Sequence, residues 1–199
     1  MSQFKKSDEK SRRILAAVRS ILAQKGYAGT TINLVAAEAG VSRGLLHYYF
    51  KNKEEMLARV IQDNMQLSVR LVSDLLENCN SAADFAKELV SALRHVLQYD
   101  PDFFHLFFEG WAVARQSAVV SQTLDELYGQ FRQAMSGGLE KAKNNGKITP
   151  RLPIASTAVY LTGLIDGLGL QMITEPDLAS DDETWQDVAQ GITDLLEGE

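Results

Sequence analysis

Thr30–Leu57 reads TTINLVAAEAGVSRGLLHYYFKNKEEML, and the spacing of its small and apolar residues decides how the N-terminal part folds. Two short helices are predicted, over 32–38 and 43–49, joined by the turn Ala39-Gly40-Val41-Ser42. Two helices crossing steeply through a short turn need a small residue where they touch and a turn residue free of Cβ strain, and Ala36 and Gly40 supply these at i and i+4. Leu34, Val35, Val41 and Leu46 are expected to form the apolar seam. Ser42 is placed to cap the second helix, leaving that helix's first N–H groups free to face phosphate or base edges. Arg43, Gly44, His47 and Tyr48 are then the groove-facing candidates. Gly44 lets backbone come close, Arg43 can bond guanine or phosphate, and His47 and Tyr48 can reach bases, thymine methyls or backbone. Thr31, Tyr49, Lys51 and Lys53 bracket the helix as phosphate anchors. Ala36, Gly40, Val41 and Leu46 have a plain structural duty in any helical hairpin. Arg43, His47, Tyr48 and Lys51 have no obvious core duty, which favours a DNA-facing role.

Outward from this stretch the apolar residues keep helical period, and no run alternates as a strand would. Ile14, Leu15, Val18, Ile21 and Leu22 mark a first helix over about 8–25 that stops at Gly26. Asn52 followed by Glu55 is an Asx cap with a glutamate three positions on, and it opens a long helix to about residue 77. Asn78 to Ser81 is a polar turn, and the next helix ends at Tyr99 before Asp100-Pro101-Asp102. Then comes FFHLFFEGW, residues 103–111, followed by helices over about 119–143, 154–173 and 182–196. The expected fold is all-α: a three-helix helix-turn-helix head over 8–52 (motif about 32–51), joined by a long helix to a helical-bundle body over 53–199, about nine helices altogether.

The chain has 199 residues and a net charge of −6, which would argue against a nucleic-acid partner if the charge were evenly spread. Residues 1–60 instead carry eleven Lys or Arg against five Asp or Glu, and the remainder carries nine against twenty-one. A basic head on an acidic body suits phosphate contact at one end only, although ordinary surface solvation can give the same asymmetry. The single cysteine, Cys79, offers no internal disulfide, and the charged N-terminus lacks the apolar core of a signal peptide. These features fit a reducing, cytoplasmic setting. Residues 152–174 form the one stretch long and apolar enough to raise the question of a membrane span, but Asp166 sits near its middle. An ionised group at that depth costs roughly 2.5–3.5 kcal/mol, so a buried helix of a globular body is the better reading and no membrane is expected.

Around the opening motif the sequence resembles the TetR family of transcriptional regulators. The resemblance is carried by Thr30-Thr31, Val35-Ala36, Ala39-Gly40-Val41-Ser42, Gly44, Leu46, Tyr48-Tyr49-Phe50 and Lys53-Glu54 with Leu57, together with the preceding Gly26-Tyr27 and Gly29-Thr30. It covers residues 10–60 and says little about the body. His47 stands where many members carry tyrosine, which bears on the bases read and not on the docking mode. The resemblance implies a homodimer on a double-stranded DNA operator, repression of a nearby promoter, and release when a small-molecule effector binds the C-terminal body.

Phe104, Phe107, Phe108 and Trp111, with Tyr128, are plain core candidates by composition. In the resembling family the helices of this region enclose the effector, which makes them candidate pocket residues for a largely apolar ligand. Apolar stripes on the last two long helices, with Val159, Leu161, Leu164 and Leu168 on one and Trp185, Val188 and Ile192 on the other, leave more surface than one neighbour can cover and point to a two-fold, four-helix interface. Gly163 and Gly167, one turn apart, would let a symmetry mate approach. Such a dimer presents two recognition helices to successive turns of the groove, so the operator should be nearly palindromic.

A constitutive DNA-binding or adaptor protein is the alternative, its body serving dimerisation and protein contacts alone. A helical enzyme has little to stand on. There is no phosphate-binding loop, no cofactor motif, and His105 with Glu109 at i and i+4 lacks a third metal ligand.

Overall fold

The computed structural model describes residues 2–100 and 102–198, with side chains from residue 9 onward. Among the described residues there are ten helices and no strand: α1 (Ser2–Gly29), α2 (Ile32–Glu38), α3 (Arg43–Tyr49), α4 (Lys53–Asn78), α5 (Ala82–Tyr99), α6 (Asp102–Ala114), α7 (Ala118–Asn144), α8 (Ile154–Thr174), α9 (Pro176–Ala179) and α10 (Asp182–Leu196). The all-α expectation holds. Two details differ. α1 starts before residue 8, where the sequence holds no glycine or proline to stop it, and the short α9 lies inside TEPDLASDD, which composition alone makes a loop. Pro176 at the first position of α9 has the φ a helix wants, and the Trp185 indole N–H donates to the Ala179 carbonyl at 2.8 Å, pinning this one turn.

Local chemistry sets the helix ends. Thr31, Ser42, Ser81 and Asp181 accept from the backbone N–H groups of Leu34, Leu45, Asp84 and Thr184, three positions on in each case. Asn52 does the same for α4, accepting from Glu55 N at 2.9 Å, while the Glu55 carboxylate reaches back to Lys51 N at 2.8 Å. The Asx-plus-Glu reading of this start is thus realised in both directions. Each such cap is worth about 1 kcal/mol.

The chain divides into two compact units, Met1–Asn64 with His105–Glu126, and Met65–Phe104 with Leu127–Glu199. The cut runs within α4, α6 and α7, each of which contributes to both. In the first unit the core is built from Ile14, Val18, Ile21 and Leu22 of α1, Val35 and Ala36 of α2, Leu46 of α3, Met56, Leu57, Val60 and Ile61 of α4, and Leu106 and Phe107 of α6, all buried. Full burial of side chains of this size contributes roughly 1.5–3 kcal/mol each. Gly110 lets α6 lie directly on α4, because a Cβ there would enter the Ile61 side chain.

In the second unit α5 and α10 pack along their lengths. Phe85, Leu89 and Leu93 on the inner face of α5 and Trp185, Ile192 and Leu196 on that of α10 are all buried. At one end Arg94 pairs with Asp182 at 2.6 Å. At Gly138 of α7 a side chain would meet Leu76 of α4 at 2.6 Å, and the α7–α8 loop is fixed to the end of α10 through Thr149 N to Leu196 O at 2.7 Å.

Candidate nucleic-acid interface

The turn between α2 and α3 is made by backbone. Gly40 has φ +61°, the left-handed conformation that ends many helices, and it lets Gly40 N reach Ala37 O at 3.1 Å and Val41 N reach Ala36 O at 3.0 Å. The carbonyls of Ala36 and Ala37 are thereby satisfied and the chain is turned for Ser42 to cap α3. Leu46 is fully buried and Phe50 nearly so, which fixes the rotation of α3 about its axis. The opposite face carries Arg43, Gly44, His47 and Tyr48, all exposed and spaced i, i+1, i+4, i+5. Tyr48 is 83% exposed, and its ring meets that of the half-buried Tyr49 edge-on at 5.6 Å. Most of this aromatic, on a short helix beside an arginine and a histidine, is left facing solvent.

Around α3, Thr31 is exposed and engaged as the cap of α2. Lys51 is exposed, with Nζ 3.8 Å from Glu55. Lys53 is placed differently. Its ammonium stands 4.2 Å from the centroid of the Tyr27 ring and donates to the Tyr27 carbonyl at 3.5 Å, so much of its bonding capacity faces inward. Leu34 departs from the expected seam: it is 41% exposed, because Val35, Ala36 and Ala39 take the inward phase of α2.

Sequence reasoning passed over a polar cluster in the same unit. The Tyr27 hydroxyl donates to Glu54 Oε1 at 2.6 Å, and the Tyr27 backbone N–H donates to Glu109 Oε1 of α6. Burial, and then the Glu54 carboxylate, push the Tyr27 phenol up to about 12, and the same hydrogen bond holds Glu54 below its ordinary value. Gly26, at φ +65° and ψ 174°, breaks α1 and presents the Tyr27 amide. Gly26-Tyr27 was visible as a helix stop. Glu109, 82 residues away, gave no local signal beyond its spacing from His105.

The residues taken for an effector pocket fall in both units. Phe104 and Tyr128 belong to the unit of α8, and Phe107, Phe108 and Trp111 to the unit of α1–α3. Phe104 and Phe107 are buried, Phe108 and Tyr128 half-buried, and Trp111 is 48% exposed. Tyr128 donates its hydroxyl to Asp166 Oδ2 at 2.6 Å.

The expected dimer residues need correction. Leu161, Leu168, Trp185 and Ile192 are buried within their own chain and cannot face a partner. The α10 stripe is the face turned to α5, and its outer face is Asp182, Glu183, Gln186, Asp187, Gln190 and Asp194. Val188 and Leu164 are half-buried. What α8 leaves outside is Val159 and Tyr160, each 58% exposed, and Leu170, with Gly163 and Gly167 between them and open space above both.

A capped recognition helix behind a glycine turn, with a polar and aromatic outer face on a basic head, is the arrangement of a helix-turn-helix DNA-binding transcriptional regulator. Residues 14–60 match the model for bacterial regulatory proteins of the tetR family, and residues 82–197 match that for the C-terminal part of BetI-type transcriptional repressors. The chain belongs to the TetR family. It is 28% identical to the uncharacterized HTH-type transcriptional regulator YfiR of Bacillus subtilis, over 81% of this chain and 78% of that one. Its fold is similar to those of a putative transcriptional regulator from Saccharomonospora viridis solved in complex with choline (TM-score 0.77, 22% identity, 97% and 100% of the two chains) and of FadR from Bacillus subtilis in complex with stearoyl-CoA (TM-score 0.75, 18% identity, 94% and 100%).

Proposed function

We propose that the protein is a cytoplasmic repressor whose head, 8–52, holds a nearly palindromic operator and whose body, 53–199, releases it when a small effector binds. The observation that carries the reading is the face of α3, where Arg43, His47 and Tyr48 stand exposed around Gly44 on a helix whose N-terminus Ser42 caps. Arg43 and His47 read base edges, Tyr48 contacts bases or backbone, and Thr31, Ser42, Tyr49 and Lys51 hold phosphates with Lys53 at the margin. The effector enters the body near Phe104 and Tyr128, which belong to one compact unit. Solved neighbours bound to stearoyl-CoA and to choline support a sensing body, and their two ligands differ too much to name this one. Two copies pair through the outer face of α8, Val159, Tyr160, Leu164 and Leu170 about Gly163 and Gly167, with Val188 of α10 at its edge. Among the described residues no helix is long and apolar enough to cross a membrane.

The test is selection of bound fragments from random duplex DNA. The expected product is a site with two-fold related half-sites, bound with an affinity that falls steeply with salt. A variant lacking the Arg43, His47, Tyr48 and Lys51 side chains that kept the parent's affinity would refute the assignment.

A further inference from the structure

Asp166 is the one acid placed among the apolar turns of α8, and the DNA-reading machinery makes no use of it. It is half-buried, and this burial pushes its carboxyl up from the ordinary range while the hydrogen bond from Tyr128 acts in the other direction. A carboxylate is an acceptor with about four lone-pair sites, of which Tyr128 occupies one. None of the described cationic side chains pairs with it. Arg132, one turn beyond Tyr128 on α7, lies 5.9 Å from the Tyr128 ring centroid and is engaged with that ring. One turn along α8, Gly169 presents bare backbone to the Phe104 ring, where any Cβ would enter the ring. Carboxylate, phenol and phenyl ring thus gather on one side of α8, all within one compact unit.

We infer that Asp166, held by Tyr128 and flanked by the Phe104 ring, is the anchor for the cationic head of an effector, an alkylammonium group carried on an apolar tail. The inference rests on the reading of the body as a sensor and names the chemistry it accepts. A half-buried carboxylate without a counter-charge is partly desolvated, and a cation brought by a ligand offsets that cost at the moment of binding. Aromatic faces beside the carboxylate suit an ammonium that sheds its water. An effector with an anionic head is disfavoured at the same place by repulsion from Asp166.

The probes are octyltrimethylammonium, octanoate and 1-octanol, titrated calorimetrically into the full chain with and without its selected operator. The expected result is that the ammonium binds the parent, that Asp166→Asn weakens it by at least about tenfold, and that Tyr128→Phe weakens it less. Asp166→Asn, an isosteric change, should weaken octanol binding far less than ammonium binding, and thermal melts of both variants show that the fold is kept. Folded Asp166→Asn binding the ammonium as the parent does, absence of ammonium binding at millimolar concentration, or tighter binding of octanoate than of the ammonium each overturns the inference. Asp166-dependent ammonium binding without loss of operator affinity leaves the site standing and removes the sensing reading. Octanoate releasing the operator where the ammonium does not bind keeps the sensing reading and removes this site.

Discussion

Tyr27 donates its hydroxyl to Glu54 at 2.6 Å, joining the end of α1 to the first turn of α4. With Lys53 over the same ring and the Tyr27 amide held by Glu109, one tyrosine gathers α1, α4 and α6 within one unit. The cluster is partly solvated, so its energy is modest. Tyr27→Phe should cost about 0.5–1.5 kcal/mol at neutral pH by urea unfolding. The pH dependence has a definite sign. Glu54 is depressed in the folded state, so its contribution is present above its ordinary value of 4.5 and is lost as pH falls through the lowered one. Tyr27 is raised, so its contribution is present below 10.0 and is lost as pH rises towards about 12. The stability gap between parent and variant should therefore be widest at neutral pH and shrink at both ends. A gap independent of pH would remove the hydrogen bond as its cause.

Two glycines in the motif should respond oppositely to alanine. Gly40 has φ +61° with nothing near an added Cβ, so Gly40→Ala meets no clash and bears only the left-handed backbone cost, about 1–2 kcal/mol in thermal or urea unfolding. Gly44 is helical, exposed and equally unobstructed. Gly44→Ala should therefore stabilise the head, by up to about 1 kcal/mol. If α3 lies in the groove with its backbone near DNA, the same change weakens operator binding. A variant that is more stable and binds less well separates the two roles of this glycine; unchanged affinity would take the backbone at Gly44 away from the DNA.

The motif was legible because its chemistry is local. Thr31, Ser42 and Asn52 cap within three residues of themselves, Gly40 turns the chain where it stands, and the bounds of α2 and α3 follow from neighbours in sequence. The amphipathic stripes were legible as stripes but not in what covers them. Trp185 and Ile192 lie on a face that α5 of the same chain fills, and nothing in residues 182–196 distinguishes an intramolecular cover from a partner. Leu34 shows the same limit within one turn, since a seven-residue helix has room for one inward phase and Val35 takes it. The Tyr27 and Glu109 bond joins residues 82 positions apart, and the Tyr128 and Asp166 bond residues 38 apart. Such pairs follow from packing, which periodicity does not encode.

Lys51 and Lys53 should differ in their effect on salt dependence. Lys51 is exposed and loosely paired with Glu55, so Lys51→Ala should remove about one unit from the slope of log affinity against log salt and weaken all sequences alike. Lys53 is committed to Tyr27, so Lys53→Ala should change the slope less and lower stability more. Arg43→Ala or His47→Ala should instead cost about 1–3 kcal/mol on the selected site and relax preference at particular positions. Fluorescence anisotropy at several salt concentrations, on the selected site and on a scrambled one, resolves these patterns. Equal slopes for the two lysine variants would put Lys53 on the DNA as well.

The outer face of α8 gives the last test, because burial divides its apolar residues into two sets. Val159 and Leu170 are exposed, whereas Leu161 and Leu168 on the same helix are buried in the protomer. A glutamate at Val159 or Leu170 meets solvent in an isolated chain, so it should leave the fold and its melting temperature nearly intact. In a two-fold dimer closed by this face, each substitution enters the interface twice and sets like charges against each other in an apolar contact. The double variant Val159→Glu with Leu170→Glu should therefore sediment as a folded monomer. It should also bind the selected palindrome with greatly reduced affinity, since a monomer engages one half-site. Leu161→Glu is the contrasting change: it places a charge in the core and should unfold the unit of α8, not merely separate two copies. If the exposed-face variant stays dimeric in sedimentation, or the parent chain is monomeric, the pairing lies on another surface or does not exist, and the palindromic operator loses its structural reason.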